Sequence, residues 1–192
     1  MKLRSLFESV HIADSVRSLT EGSTNDLSRA LEALSQVPGV KWALIGGLAV
    51  GFRSRPRGTQ DIDVIVASEL DIEALASAAS SAFRHNRGHS LEHKATGVEV
   101  EVLTPEFLKM DPIVFQKAIN SATMEKFGAG SIPVVDTAAL IVFKLNRASR
   151  RDQGDIEDII TTHGPVDLSE YDIPADKLQI YQSIVTEVQN RK

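Results

Sequence analysis

The sequence predicts an α/β (α+β) domain, a mixed β-sheet flanked by helices. Two observations predict it. Apolar residues recur at helical spacing toward both ends of the chain, whereas the middle carries short alternating runs bounded by Gly, Pro and Asn. The resulting order of helices, then strands mixed with helices, then helices is that of a layered domain rather than a bundle or a sandwich.

Each element has its own signal. Leu3, Phe7, Val10 and Ile12 or Val16 mark a first helix over about residues 3–20. Ser23 or Thr24 can cap a second, in which Leu27, Leu31 and Leu34 share a face. Pro38-Gly39 stops it and turns the chain into a strand at 42–45. A glycine pair, Gly46-Gly47, then opens a short helix, a basic loop follows, and a second strand runs over 61–66. Ser68 can cap an Ala- and Leu-rich helix reaching about Phe83, and Gly88 and Gly97 bracket strands near 89–94 and 98–103. Pro112 suits the first turn of a helix to Asn120. Short strands follow near 123–127 and 132–135, and Asp136-Thr137 starts a helix drawn to about Arg151. Another covers 154–162. Leu178, Tyr181, Ile184, Val185 and Val188 line a last amphipathic helix. Residues 1–165 read as one domain and 166–192 as a helical extension packed on it.

The chain has 192 residues, enough to bury a core, with 42% hydrophobic and 24% charged residues. It has no cysteine, so disulfides and thiolate metal sites are excluded. No apolar run approaches the roughly 20 residues a membrane helix needs, and the charged N-terminus is unlike a signal peptide, so a cytoplasmic protein without membrane contact is expected. The net charge of −5 argues against coating nucleic acid by bulk charge. Positive charge is instead local, at Arg53, Arg55 and Arg57 and again at Lys144, Arg147, Arg150 and Arg151, which suits a polyanion in a cleft.

Chemistry concentrates between residues 41 and 66. Asp61 and Asp63 are two apart on a strand and project to one face, while Ile62 and Val64 face the core. Adjacent carboxylates repel each other and gain from a cation between them. Mg²⁺, with Mn²⁺ as a substitute, takes such oxygen ligands and bridges them to phosphates. Gly46 and Gly47 offer backbone N–H groups at a helix start, where no Cβ obstructs a phosphate. Lys144, Arg147 and Arg151, spaced by three and four on one helix, form one basic stripe. Glu99 and Glu101 share one face of an alternating strand. His85, His89 and His93 recur every four residues, but Asn86-Arg87-Gly88 interrupts any helix there, and no zinc site is expected.

The ordered set resembles the nucleotidyltransferase superfamily, with its glycine turn followed by a strand bearing Asp-x-Asp. More narrowly, Gly46-Gly47-Leu48-Ala49 with Arg57-Gly58-Thr59-Gln60-Asp61-Ile62-Asp63 is similar to minimal nucleotidyltransferases related to the toxin half of AbiE-type toxin–antitoxin systems. The resemblance spans residues 40–160. It implies a nucleotidyltransferase-like sheet and a nucleoside triphosphate as substrate, with Asp61, Asp63 and Glu101 as catalytic metal ligands. It points to Glu101, just before Leu103-Thr104-Pro105, as the third carboxylate, where Asp is the commoner residue. Lys144 would hold phosphates, with Arg147, Arg151, Arg57 and Thr59 assisting. Asp155 and Asp158 would partner the basic groups. The implied acceptor is RNA, a tRNA end above all, or a protein, beside a cognate antitoxin. Aminoglycoside- or lincosamide-type transfer and a non-catalytic nucleotide- or partner-binding module are the alternatives.

Overall fold

The structure is a computed structural model that describes residues 24–55, 58–128 and 130–191. The helix expected over 3–20 lies outside the described residues. The elements are α1 (Thr24–Ser35), β1 (Ala43–Ile45), α2 (Gly46–Arg53), β2 (Ile62–Ile65), α3 (Glu69–Ala78), β3 (Phe83–His85), β4 (Ser90–His93) and β5 (Glu99–Leu103). After them come α4 (Pro105–Leu108), α5 (Pro112–Asn120), β6 (Thr123–Phe127), β7 (Gly130–Val134), α6 (Thr137–Arg147), α7 (Arg150–His163) and α8 (Ala175–Asn190). The strands form one mixed sheet, ordered β3-β4-β5-β2-β1-β7-β6, and helices flank it.

The central strands are short and fully apolar on their inner faces. Ala43, Leu44, Ile62, Val64, Ile65, Val100 and Val102 are all completely buried. β2 runs antiparallel to β1 and parallel to β5, so Asp63 sits in register between Ile45 on one side and Glu101 on the other. Because side chains alternate along a strand, burying Ile62 and Val64 turns Asp63 outward. The hydrophobic pattern thus sets the register that brings two carboxylates side by side.

Three expectations are corrected. The helix after Ser68 ends at Ala78 rather than Phe83. Phe83 pairs with His93 as the start of an edge strand, and its ring is almost wholly buried against the core. The helix from Thr137 does not reach Arg151. It stops at Arg147, Ala148 takes a left-handed conformation with φ of 49°, and Ser149 caps a new helix. The basic residues 144, 147 and 151 are therefore divided between two helices and do not form one stripe. Arg53, expected in the basic loop, is instead the last residue of α2.

Arg53 has turned inward. Its guanidinium donates to the carbonyls of Val135 at 2.8 Å and Val134 at 2.8 Å, to Thr123 Oγ1 at 2.7 Å and to Glu125 Oε1 at 2.6 Å. The side chain is 12% exposed, so it ties α2 to the end of β7 and to edge strand β6. Hydrogen bonds to charged groups each contribute about 1.5–3 kcal/mol net, and truncation leaves their partners unsatisfied. Arg53→Ala is expected to lower unfolding stability by about 2–3 kcal/mol in a urea titration. A loss under about 0.5 kcal/mol would mean that water replaces the clip at no cost.

The last two helices complete the packing around the site. α7 lies against α6 and α2, and α8 lies against α6 and α7 through Tyr181, Ile184 and Val188. Tyr181 also donates its hydroxyl to the Val166 carbonyl at 2.7 Å. Among the described residues, no helix is long and apolar enough to cross a membrane.

Candidate active site

The sharpest local feature is the close approach of Asp63 to the turn between β1 and α2. Gly46 has φ of +69°, which an L-residue with a Cβ adopts only under strain. A Cβ built on Gly46 would lie 1.7 Å from Asp63 Oδ2 and 2.6 Å from its Cγ. The carboxylate therefore occupies the space a side chain would fill. Gly47 donates its backbone N–H to that same carboxylate, so the helix start predicted to receive a phosphate receives Asp63. A negative group at this end is favoured by the helix dipole.

Charge at Asp63 is crowded. Burial raises its pKa first, the neighbouring Asp61 and Glu101 raise it further, and Lys144 and the Gly47 N–H oppose them, leaving it at about 6. At neutral pH the ionised carboxylate is thus held at a cost that a nearby cation would offset. Asp61 lies just before β2 and is exposed, and its Oδ1 accepts the Thr59 hydroxyl at 2.6 Å. Glu101 is half-buried beside Asp63. Glu99 is exposed and takes the Ser90 hydroxyl at 2.6 Å.

These three acids offer only oxygen donors, the set that suits a hard cation such as Mg²⁺. Among the described residues, however, no three His, Cys, Asp or Glu side chains are gathered so as to hold an ion. The reason is visible at Asp61, whose carboxylate is turned to Thr59. Its Oδ2 accepts no hydrogen bond from Thr59, so the same carboxylate can keep that bond and still offer an oxygen to an ion beside Asp63 and Glu101.

The basic side of the site is built differently from the expectation. Lys144 is buried, with its Nζ 2.7 Å from Asp155 Oδ2 and 3.3 Å from Asp152 Oδ1. Asp155 is the expected partner, but no ion pair reaches Asp158 among the described residues. Asp152, which sequence reasoning passed over, is the hub. It accepts from Arg147 Nε at 2.7 Å and Nη2 at 2.9 Å, and from the Ser149 hydroxyl at 2.6 Å. Burial alone would raise the Asp152 pKa, but Arg147, Ser149 and Lys144 outweigh it and hold the carboxyl well below its usual range. Its signal in the sequence was Ser149-x-x-Asp152, a capping box that the structure forms in full.

Arg147 has its guanidinium on Asp152, yet its side chain is 70% exposed and it feels the charge of Asp63. Arg151 is exposed and reaches the Gly58 carbonyl at 3.4 Å. Arg57 lies outside the described residues.

One cleft of about 310 Å³ gathers nearly all of this. Gly46, Gly47, Thr59, Asp61, Asp63 and Glu101 line it from the sheet side, and Lys144, Arg147, Arg151 and Asp152 from the helices. Phe107, Leu103, Leu108, Phe143 and Asn146 complete its wall. The first three of these belong to the end of β5 and the four-residue α4. A turn that short has no periodicity to read, which is why it went unpredicted.

No family model and no curated protein sequence matches the chain. Among solved structures, the chain is similar to an antigenic nucleotidyltransferase-like protein from Paracoccidioides brasiliensis, at 18% identity and a TM-score of 0.49. That likeness covers 94% of this chain and 89% of the other. The chain is also similar to a chain of the CdnC:HORMA-deltaN complex of E. coli MS115-1, at 15% identity and a TM-score of 0.33, covering 93% of this chain and 59% of that one. Neither likeness bears on activity.

Proposed function

We propose that the chain is a metal-dependent nucleotidyltransferase. It moves a nucleoside monophosphate from a nucleoside triphosphate to an acceptor hydroxyl on RNA, a tRNA end above all, or on protein. The observation that carries this reading is the Asp63 carboxylate seated over Gly46 and in register with Glu101, in a cleft with Asp61 on one side and Arg147 and Arg151 on the other. Paired acids facing guanidinium groups suit a polyanion held through a cation. Asp61, Asp63 and Glu101 would hold Mg²⁺ or Mn²⁺, which would supply positive charge to offset the charge that develops on the phosphates.

The residues then divide the work. Arg151 binds the outer phosphates through its guanidinium, and Arg147, whose Nε and Nη2 are held by Asp152, adds its remaining amino group. Lys144 is committed to Asp152 and Asp155, so it contributes its field and the anchoring of α6 to α7. Glu101 accepts the proton of the acceptor hydroxyl as that oxygen bonds to the α-phosphorus. The bond to the pyrophosphate oxygen breaks opposite, and pyrophosphate leaves. Thr59 orients the Asp61 carboxylate through its hydroxyl.

The acceptor is the finer question. The expectation of RNA drew on surplus positive charge, and Arg53 is spent internally, so that surplus reduces to Arg55, Arg147, Arg150 and Arg151 among the described residues. The withdrawal of Arg53 favours a second reading, transfer to a small hydroxylated molecule of the aminoglycoside or lincosamide kind. A toxin-like role beside a cognate antitoxin belongs to the first reading, and co-purification with a neighbouring gene's product would test it.

One experiment addresses function and acceptor together. The protein is incubated with each labelled nucleoside triphosphate, Mg²⁺ or Mn²⁺, and in turn total RNA, RNA-free lysate or an aminoglycoside panel. A discrete labelled RNA is the expected product. Loss of a general base typically costs 10²–10⁴-fold, so Glu101→Gln is expected to cut labelling by about 100-fold or more while much of the triphosphate binding, which also rests on Asp61, Asp63 and the arginines, is kept. Damage from Glu99→Gln instead would assign the base to Glu99 and overturn the role given to Glu101. Absence of product with every nucleotide, both metals and all acceptors would leave a non-catalytic module.

A further inference from the structure

Phe107 is an exposed apolar ring for which the fold itself has no use. Among the described residues the large exposed hydrophobic side chains are Leu70, Phe107, Ile113 and Met124, and of these only Phe107 lines the cleft. It is 48% exposed. Phe143, the other aromatic of the cleft wall, is buried and packs edge-on against Phe115 at 4.9 Å between ring centroids, so it belongs to the core.

The ring of Phe107 is also held in place. Its backbone N–H donates to Thr104 Oγ1 at 3.2 Å, which caps α4, and Thr104 in turn donates its hydroxyl to Glu69. Behind the ring lies His89, with centroids 4.6 Å apart and planes 31° from parallel. His89 is fixed by a 3.0 Å contact of Nδ1 with the Val102 carbonyl and by Glu69, 3.4 Å from its Nε2. A half-exposed phenyl group therefore carries a backing ring, and that ring is anchored to β5, the strand that bears Glu101. An apolar face kept in water costs stability unless something covers it.

The remaining lining narrows what covers it. The same cleft is lined both by acids and guanidinium groups and by Leu103, Phe107 and Leu108. A ligand that fits both is charged at one end and flat and apolar at the other. We infer that Phe107 is the stacking platform for the nucleobase of the triphosphate, with His89 as its backing ring. This rests on the nucleotidyltransferase reading above. It adds a specificity consequence: stacking is tolerant of base identity, so the platform gives affinity for any nucleoside triphosphate and little choice among the four.

The test separates base from phosphate. Calorimetry measures Mg²⁺-dependent binding of ATP, GTP, CTP and UTP, and of inorganic tripolyphosphate, to wild type, Phe107→Ala and Phe107→Tyr. Base–aromatic stacking sets the expected scale: Phe107→Ala weakens each nucleotide about 5- to 100-fold, Phe107→Tyr less than about threefold, and tripolyphosphate is unchanged. Because half the ring is in water, Phe107→Ala is expected to stay folded, checked by its thermal unfolding midpoint. A second readout is the fluorescence of Phe107→Trp, expected to be quenched by nucleotides and unaffected by tripolyphosphate. Nucleotide affinities that do not move in Phe107→Ala would overturn the inference and leave the phosphate site standing. Equal weakening of nucleotides and tripolyphosphate would overturn it too, since Phe107 would then merely shape the cleft. Wild-type protein that binds neither probe would overturn both readings.

Discussion

Gly46→Ala is expected to remove nucleotide binding and to destabilise the fold by about 3 kcal/mol or more. Two costs combine. Holding alanine at a φ of +69° costs about 1–2 kcal/mol by itself. The added Cβ would then stand 1.7 Å from Asp63 Oδ2, 2.6 Å from Cγ and 2.8 Å from Cβ. The last distance is decisive, because rotating the carboxylate away leaves the Asp63 Cβ in the clash, and that atom is fixed by the pairing of β2 with β1 and β5. Either the turn opens or the central strands shift, and both separate Asp63 from Glu101. Gly39→Ala is the control. Gly39 also has positive φ, at +78°, but nothing stands within 4 Å of its missing Cβ. It should lose only the strain, about 1 kcal/mol, and keep nucleotide binding. Adding Asp63→Ala to Gly46→Ala removes the two shorter contacts, so part of the stability should return while binding does not. Denaturant unfolding and calorimetry on the four proteins read both quantities. Equal losses for the Gly39 and Gly46 variants would mean that Asp63 yields easily and the close approach is incidental.

How far the sequence disclosed this site follows from the range of each signal. Strand alternation is local, so the burial of Ile62 and Val64 with Asp63 turned away from them was legible from a few residues, whereas Asp61 falls just before the strand and its carboxylate turns to Thr59. Glu101 was narrowed to a pair by its strand and chosen by resemblance, and parallel pairing of β2 with β5 brings it beside Asp63. The basic stripe was misread because helical spacing assumes a continuous helix. Ala148 gives no compositional warning of a left-handed turn, and the helix start at Ser149 was hidden inside a run that reads as helix throughout. Arg53 and Lys144 were read as free to hold phosphate because charge in sequence carries no direction, although Lys144 does line the cleft. Their partners lie 70 and more residues away for Arg53, and across a helix break for Lys144. Tertiary contacts decide whether a cation is a ligand or a clip, and nothing in the neighbouring residues encodes that choice.

Asp152 offers the second large effect, and it tests that distinction. It is 1% exposed and receives Lys144, Arg147, the Ser149 hydroxyl and the Ser149 backbone N–H. Removing one member of a buried ion pair costs about 3–5 kcal/mol, because the remaining charge stays buried without full compensation. Loss of a helix cap contributes about 1 kcal/mol more. Asp152→Ala is therefore expected to lose about 4 kcal/mol at pH 7, and Asp152→Asn somewhat less, since it retains shape and some hydrogen bonds. Arg147→Ala, from a side chain that is 70% exposed, should lose about 1 kcal/mol or less, so the cost follows burial and not the number of ion pairs. The dependence on pH has a definite direction. The folded Asp152 pKa lies below its unfolded value, so its contribution is complete above about pH 4 and is lost as the pH falls toward the folded value. The stability gap between wild type and Asp152→Asn should hold from pH 7 to about 5 and narrow below about 4. Urea unfolding at pH 7, 5 and 3 measures it. A gap that widened on acidification would mean that Asp152 is protonated in the native state, and the cluster around Lys144 would then be a neutral cap rather than an ion pair holding α6 to α7.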